Sequence, residues 1–147
     1  MNNKIKNYIS GNITAESNEY IPIHDPSTGE QINEVVLSNQ NDLQAAISSA
    51  EVAFNEWSNI TPLKRSRVLS KYKELIEKNV EELAKTVSRE HGKTLDDAKG
   101  SVIRGLEVVE FACGIPHLLK GEFSQNVGSF IDSWSIRQPL GLSLIHI

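Results

Sequence analysis

The amino-acid sequence predicts an α/β fold with an opening β-meander or hairpin, three long helices and a final pair of strands. Two patterns predict this order. Short runs of Tyr, Ile and Val in the first third are separated by turn-forming residues, which is typical of strands. Apolar residues then recur at intervals of three and four along three successive segments, which is typical of amphipathic helices.

The opening strands are predicted at residues 6–9, 19–24 and 31–37. The turn formers Ser10-Gly11-Asn12 follow the first strand, and the run DPSTG at residues 25–29 separates the second from the third. Such short polar connections favour a meander or hairpin.

Helix periodicity is strongest at residues 42–57, where one apolar stripe ends at Trp57. A second helix is predicted from Pro62 to Gly92, because Thr61 is a good N-cap and proline is favoured at the first helical position. Thr94, with an acid three residues later, has the form of a capping box. It predicts a third helix that runs to about residue 112.

The third helix is apolar around most of its circumference, so we expect it to be buried on several sides. Strands are then predicted at residues 122–127 and 129–138, before Pro139. The second of these is long and needs a partner strand, much of which we expect to lie outside this chain. In the 147 residues taken alone, however, we expect the second and third helices to leave apolar faces uncovered, because part of what packs on them would lie outside this chain.

Composition excludes several classes of function. The 147 residues have ordinary globular composition and room for about one domain. The net charge of -4 comes from mixed acids and bases, so nucleic acid is not an expected partner. No apolar run approaches the roughly 20 residues that span a bilayer, and the first ten residues are polar. A cytoplasmic protein is therefore expected, and the single Cys113 fits a reducing compartment.

No motif of the sequence predicts a catalytic, metal-binding or cofactor-binding residue. Gly92-Lys93-Thr94 lacks the glycine that a phosphate loop needs five residues earlier, where Val87 stands, and fits a helix end followed by an N-cap. Cys113 follows an apolar helix and has no histidine placed to activate it. The four histidines lack the close spacing of a metal site. They are His24, His91, His117 and His146.

Arg104 is the one candidate site residue. Its helix neighbours at i+4 and i+7 are Val108 and Phe111, so its charge projects from an apolar surface and needs a negative partner. One interpretation is a structural ion pair with Glu107 or another acid. The other is a bidentate grip on a substrate carboxylate. Spacing alone leaves both open.

Four segments, in order, resemble the aldehyde dehydrogenase superfamily. They are HDPSTGE at residues 24–30, AFNEWS at 53–58, EHGKT at 90–94 and RQPLG at 137–141. Within that superfamily, RGLEVVEFACGIP at 104–116 and LKGE at 119–122 resemble the CoA-acylating methylmalonate-semialdehyde dehydrogenases. The resemblance implies that the chain is an N-terminal fragment of the aldehyde dehydrogenase fold, and that Arg104 binds the substrate carboxylate.

The resemblance also implies the chemistry of the complete enzyme. That enzyme would oxidise malonate or methylmalonate semialdehyde with NAD through a cysteine thiohemiacetal, lose CO2 and transfer the acyl group to CoA. The nucleophile, the nicotinamide site and the oxyanion-hole asparagine would all follow Gly141, so the 147 residues alone are expected to be inactive. Family members form dimers or tetramers, and residues 123–138 resemble the segment that joins the oligomerisation sheet.

The resemblance stops at Gly141. We therefore expect residues 1–141 to be the N-terminal part of the cofactor and oligomerisation region, and residues 142–147 to be a non-native tail, a sequencing or frameshift artefact. Two other classes stay open. One is a non-acylating dehydrogenase of another semialdehyde, such as succinate semialdehyde, and the other is a non-catalytic helical interaction module.

Overall fold

The computed structural model describes residues 3–141. The strands are β1 (Asn3–Ile5), β2 (Asn7–Ile9), β3 (Asn12–Thr14), β4 (Tyr20–His24), β5 (Gln31–Val36), β6 (Phe123–Gly128) and β7 (Ile131–Trp134). The helices are α1 (Gln40–Trp57), α2 (Pro62–Lys78), α3 (Val80–His91), α4 (Leu95–Cys113) and α5 (Ile115–Leu118). Within these residues, no helix combines the length and the apolar character that crossing a membrane requires. The order of strands, helices and strands is the predicted one.

Two hairpins open the chain. Strands β2 and β3 are joined by Ser10 and Gly11, both at positive φ, which is the two-residue turn that matches the twist of antiparallel strands. Strands β4 and β5 form the second hairpin, and β1 pairs with β5 in parallel. The β4–β5 hairpin confirms the sequence prediction, whereas the β2–β3 hairpin was not predicted, because residues 12–14 were not expected to form a strand. The parallel pairing of β1 was not predicted.

Helix α1 begins at a complete capping box. The side chain of Asn39 accepts from the backbone N–H groups of Asn41 and Asp42, and the Asp42 carboxylate accepts from the Asn39 N–H in return. Asp42 also accepts from the N–H groups of Glu16 at 2.7 Å and Ser17 at 3.2 Å, so one buried carboxylate fixes both the helix start and the preceding loop. The backbone bonds from Glu16 and Asn39 lower the pKa of Asp42 most strongly.

The second predicted helix is divided in two, so the prediction of one helix from Pro62 to Gly92 is wrong. Asn79 leaves the helical region at φ -116° and ψ 15°, and its side-chain amide donates to the carbonyl of Leu75 at 2.7 Å. A side chain that bonds the preceding turn competes with the regular ladder. The predicted ends hold, because Thr61 caps α2 and Gly92 ends α3 at φ 67°.

Helix α4 packs against α2 and α3, which touch each other far less. Ala84 of α3 and Ala98 of α4 are fully buried, whereas Val108 is 68% exposed and Phe111 is 69% exposed. The expectation that this helix is buried on several sides is therefore wrong for the described residues, because nothing among them covers its far side. The uncovered apolar faces expected on the helices are confirmed.

Ion pairs also join these helices. The ammonium of Lys99 on α4 donates to the Glu81 carboxylate on α3, which raises the pKa of Lys99. Lys73 on α2 lies 2.9 Å from the Glu77 carboxylate and 3.3 Å from that of Glu110 on α4, and both hydrogen bonds raise its pKa. All are accessible to water, so packing contributes more to holding the helices together than these pairs do.

The last two strands pair with each other. Strand β6 runs antiparallel to β7, and the backbone N–H of Ser135 extends the pairing to the carbonyl of Glu122 at 2.9 Å. Gly121 is required here, since a Cβ on it would lie 1.8 Å from the carbonyl oxygen of Ser135. The prediction of a strand over residues 129–138 is too long, because β7 covers only Ile131–Trp134 and its partner is β6 within this chain.

Candidate functional site

The candidate site begins at the tight junction between α3 and α4. Gly92 takes the left-handed conformation at φ 67° and its N–H donates to the carbonyl of Ser88. The Ser88 hydroxyl donates to the carbonyl of Lys93 at 2.7 Å. Thr94 then caps α4 by accepting from the N–H of Asp97. The prediction of a helix end followed by an N-cap is confirmed for Gly92 and Thr94.

The turn between β4 and β5 packs on this junction. A Cβ on Gly92 would lie 2.9 Å from Cγ of Pro26 and 3.3 Å from Oγ of Ser27, so only glycine leaves room for the turn. The turn is itself fixed by the Asp25 carboxylate, which accepts from the Ser27 N–H at 2.8 Å. Two of the segments that resemble aldehyde dehydrogenases, at 24–30 and 90–94, therefore meet in space.

Lys93 reaches from the junction along the first two turns of α4. Its ammonium lies 3.0 Å from the Asp97 carboxylate and donates to the Ser101 hydroxyl at 2.9 Å. The Thr94 half of the predicted capping box is confirmed, but the Asp97 carboxylate is bound to Lys93. Lys93 is thus neutralised by an acid four residues further along the chain.

Arg104 lies on the same face of α4, one turn further on. Its guanidinium donates to the Ser101 hydroxyl at 3.0 Å, and one of its terminal nitrogens lies beside Gly100. Among residues 3–141 no acid lies within 4.0 Å of it, so the structural pairing with Glu107 is not formed. Arg104 is exposed on the described part of the chain.

The other candidate residues of the sequence do not come together in a reactive or metal-binding group within the described residues. Cys113 is half-buried and its thiol donates to the carbonyl of Val109 at 3.3 Å. Over residues 3–141 no group of three His, Cys, Asp or Glu side chains is placed to hold a metal ion. His146 lies outside the described residues, as does the tail at 142–147. A groove of about 850 Å³ beside α1 has a mainly apolar lining that includes Phe54, Trp57 and Leu140 but no site residue.

The profile of the aldehyde dehydrogenase family matches residues 13–145, which is most of the chain. The chain belongs to the aldehyde dehydrogenase family. This confirms the resemblance seen in the four short segments. Mitochondrial and bacterial members are both among the relatives of this chain.

Individual members of the family are closely similar to this chain. Malonate-semialdehyde dehydrogenase of Pseudomonas aeruginosa is 47% identical over 91% of this chain and 27% of its own length. The human acylating methylmalonate-semialdehyde/malonate-semialdehyde dehydrogenase is 40% identical over 94% of this chain and 26% of its own. The chain therefore spans about a quarter of these relatives.

Solved structures agree on the fold. Methylmalonate-semialdehyde dehydrogenase from Oceanimonas doudoroffii superposes with a TM-score of 0.89 at 44% identity, over 95% of this chain and 28% of that one. An NAD complex from Sinorhizobium meliloti 1021, provisionally assigned as the same enzyme, has a TM-score of 0.90 at 46% identity, over 96% and 29% of the two chains. The helix and strand order is thus that of a part of the family fold.

Sequence reasoning singled out Arg104 but missed Ser101, which contacts it, and Lys93, which bonds to the same Ser101 hydroxyl. Ser101 stands three residues before Arg104 on the same helix, and that spacing is the signal that could have revealed it. Lys93 carried no such signal, because it precedes the helix and reaches Ser101 only through the geometry of the Gly92 junction.

Proposed function

We propose that the full-length protein carrying this chain is a CoA-acylating malonate- or methylmalonate-semialdehyde dehydrogenase that uses NAD. One observation carries the proposal: Arg104 presents a guanidinium that no acid of residues 3–141 neutralises. Relatives that are 47% and 40% identical to this chain are named for semialdehydes that bear a carboxylate. A planar guanidinium with free donors matches a carboxylate in a bidentate pair.

The charges around Arg104 fit a substrate with a single negative charge. Lys93 is paired with Asp97 at 3.0 Å, so its charge is locally compensated. The net charge of Lys93, Asp97 and Arg104 together is therefore one positive charge, that of Arg104. Malonate and methylmalonate semialdehydes each carry one carboxylate, which Arg104 would bind while the aldehyde carbon points away from α4.

We propose that the described residues do not supply an NAD site of their own. Gly92, Lys93 and Thr94 serve as a helix end, a side-chain anchor and an N-cap, which leaves no glycine-rich turn between a strand and a helix for a pyrophosphate. The NAD complex of the Sinorhizobium relative supports the use of NAD by the full-length protein. We propose that the nucleophile and the NAD site come from outside these 147 residues, and that the chain alone is inactive.

The test measures NADH formation by the purified full-length protein with malonate, methylmalonate and succinate semialdehydes, each with and without CoA. The proposal predicts turnover of the first two, strong dependence on CoA and formation of acetyl-CoA or propionyl-CoA. Preference for succinate semialdehyde, or release of a free acid without a need for CoA, would favour the non-acylating class. Catalysis by the 147-residue chain alone would contradict the assignment of its role.

We also propose a cytoplasmic homo-oligomer, a dimer or tetramer. The supporting observation is the β6–β7 hairpin, whose large side chains are exposed on the described chain, with Phe123 at 65% and Trp134 at 67%. Light scattering on the full-length protein measures the state directly. A monomer that keeps full activity would contradict this part of the proposal.

A further inference from the structure

The hydroxyl of Ser101 is fully engaged. It accepts from Lys93 Nζ at 2.9 Å and from the Arg104 guanidinium at 3.0 Å, and it donates to the carbonyl of Asp97 at 3.2 Å. A serine hydroxyl has one donor and two acceptor positions, so each of them is used here. This half-buried group is a fixed junction between two cationic side chains and the helix backbone.

We infer that Ser101 is a positioning residue for Arg104 and thereby a determinant of specificity for carboxylated aldehydes. The inference rests on the proposed function, since it concerns the same site. Arg104 is exposed, and an exposed arginine samples many rotamers that a substrate must restrict on binding. The bond to Ser101 selects one orientation beforehand, which lowers the cost of binding the carboxylate.

Lys93 and Asp97 complete the arrangement. The i−4 bond to the Asp97 carbonyl fixes the direction of the Ser101 O–H, and the Lys93 ammonium occupies one of the two acceptor positions. The remaining acceptor position is the one that Arg104 uses. The side chain of Asp97 compensates Lys93, so the second cation orients the hydroxyl without competing with Arg104 for the substrate charge.

The test compares variants of the full-length enzyme on malonate semialdehyde and on propionaldehyde, which has no carboxylate. Ser101→Ala is expected to raise KM for malonate semialdehyde about three- to tenfold and to leave kcat for malonate semialdehyde unchanged. KM for propionaldehyde is also expected to stay unchanged. Ser101→Thr keeps the hydroxyl and is expected to restore KM. Ser70→Ala is the matched control, because within residues 3–141 the Ser70 hydroxyl on α2 makes only an i−4 bond to the Ser66 carbonyl.

Arg104→Ala separates the inference from the proposed function. If Arg104→Ala raises KM for malonate semialdehyde but Ser101→Ala does not, Ser101 has no positioning role while the assignment of Arg104 stands. If Arg104→Ala leaves that KM unchanged, the proposed site is wrong and the inference falls with it. Equal effects of Ser101→Ala on both aldehydes would indicate a merely structural role and overturn the inference. If Ser101→Ala does not fold, Ser101→Cys replaces it, because a cysteine side chain is of similar size but its sulfur is a weak acceptor.

Discussion

The substitution Gly92→Ala tests whether the turn between β4 and β5 packs on the α3–α4 junction. Alanine at φ 67° lowers the free energy of unfolding by about 1–2 kcal/mol. Up to about 1 kcal/mol of this loss is offset, because alanine restricts the unfolded chain more than glycine does. Its Cβ would also lie 2.9 Å from the ring of Pro26, and relieving such overpacking costs about 1–3 kcal/mol more. We expect a total loss of about 3 kcal/mol.

Gly29 provides the matched control for this substitution. It has a similar φ of 76°, but nothing lies within 4 Å of the place where a Cβ would be. Gly29→Ala should therefore cost only the backbone part, about 1 kcal/mol. The assay is amide hydrogen exchange on the full-length protein, in which these losses correspond to about 150-fold and about fivefold faster exchange around each site. Equal effects of the two substitutions would refute the proposed packing of Pro26 on Gly92.

Three further predictions concern the same scaffold. Asn39→Ala removes the cap of α1 and should lower the stability of that helix by about 1 kcal/mol, read as faster amide exchange over α1, while Asn39→Ser should retain most of it. Ser66→Ala should lower the free energy of unfolding by about 1–3 kcal/mol, because the Cys113 carbonyl loses a 2.6 Å hydrogen bond. Urea unfolding measures this loss, with Ser70→Ala as the control. Equal unfolding midpoints for the two variants would contradict the prediction. The pKa of Asp42 is lowered on folding. The ionised carboxylate therefore contributes stability at pH values above the ordinary pKa of 3.8, and this contribution is lost as the pH falls through the folded-state pKa. Asp42→Asn should remove this acid dependence, measured as amide protection in α1.

The sequence predicted most of the helix ends, because those ends depend on local chemistry. Pro62 at the first turn of α2, Gly92 after α3 and Thr94 before α4 each act through their own backbone preferences or side-chain bonds. The break at Asn79 was missed, because an asparagine within an otherwise regular apolar stripe ends a helix only if its side chain bonds the preceding turn.

Features that depend on distant parts of the chain were less predictable. The parallel pairing of β1 with β5 joins residues about thirty positions apart, which no periodicity reveals. The apolar circumference of α4 indicated burial, yet Val108 and Phe111 are exposed in residues 3–141. The apolar pattern of a helix includes every face that can pack against another element, whereas the described residues pack against only one side of α4.

The candidate site was predictable only in part. Arg104 could be singled out because a charge among apolar helix neighbours needs a partner. Its link to Lys93 through Ser101 depends on the left-handed turn at Gly92 and on side-chain reach, which spacing does not encode. Sequence spacing therefore leaves both a structural ion pair and a ligand-binding arginine open, and within residues 3–141 the Arg104 guanidinium contacts Ser101 and no acid.

The most direct test of the central claim is the ratio of kcat/KM for malonate semialdehyde to that for propionaldehyde in the full-length enzyme, with and without Arg104→Ala. If Arg104 binds the carboxylate, the substitution should lower this ratio about tenfold to a hundredfold, because a charge-assisted pair is lost for one substrate only. An unchanged ratio, with both substrates affected equally or not at all, would contradict the assignment of Arg104 to the substrate carboxylate.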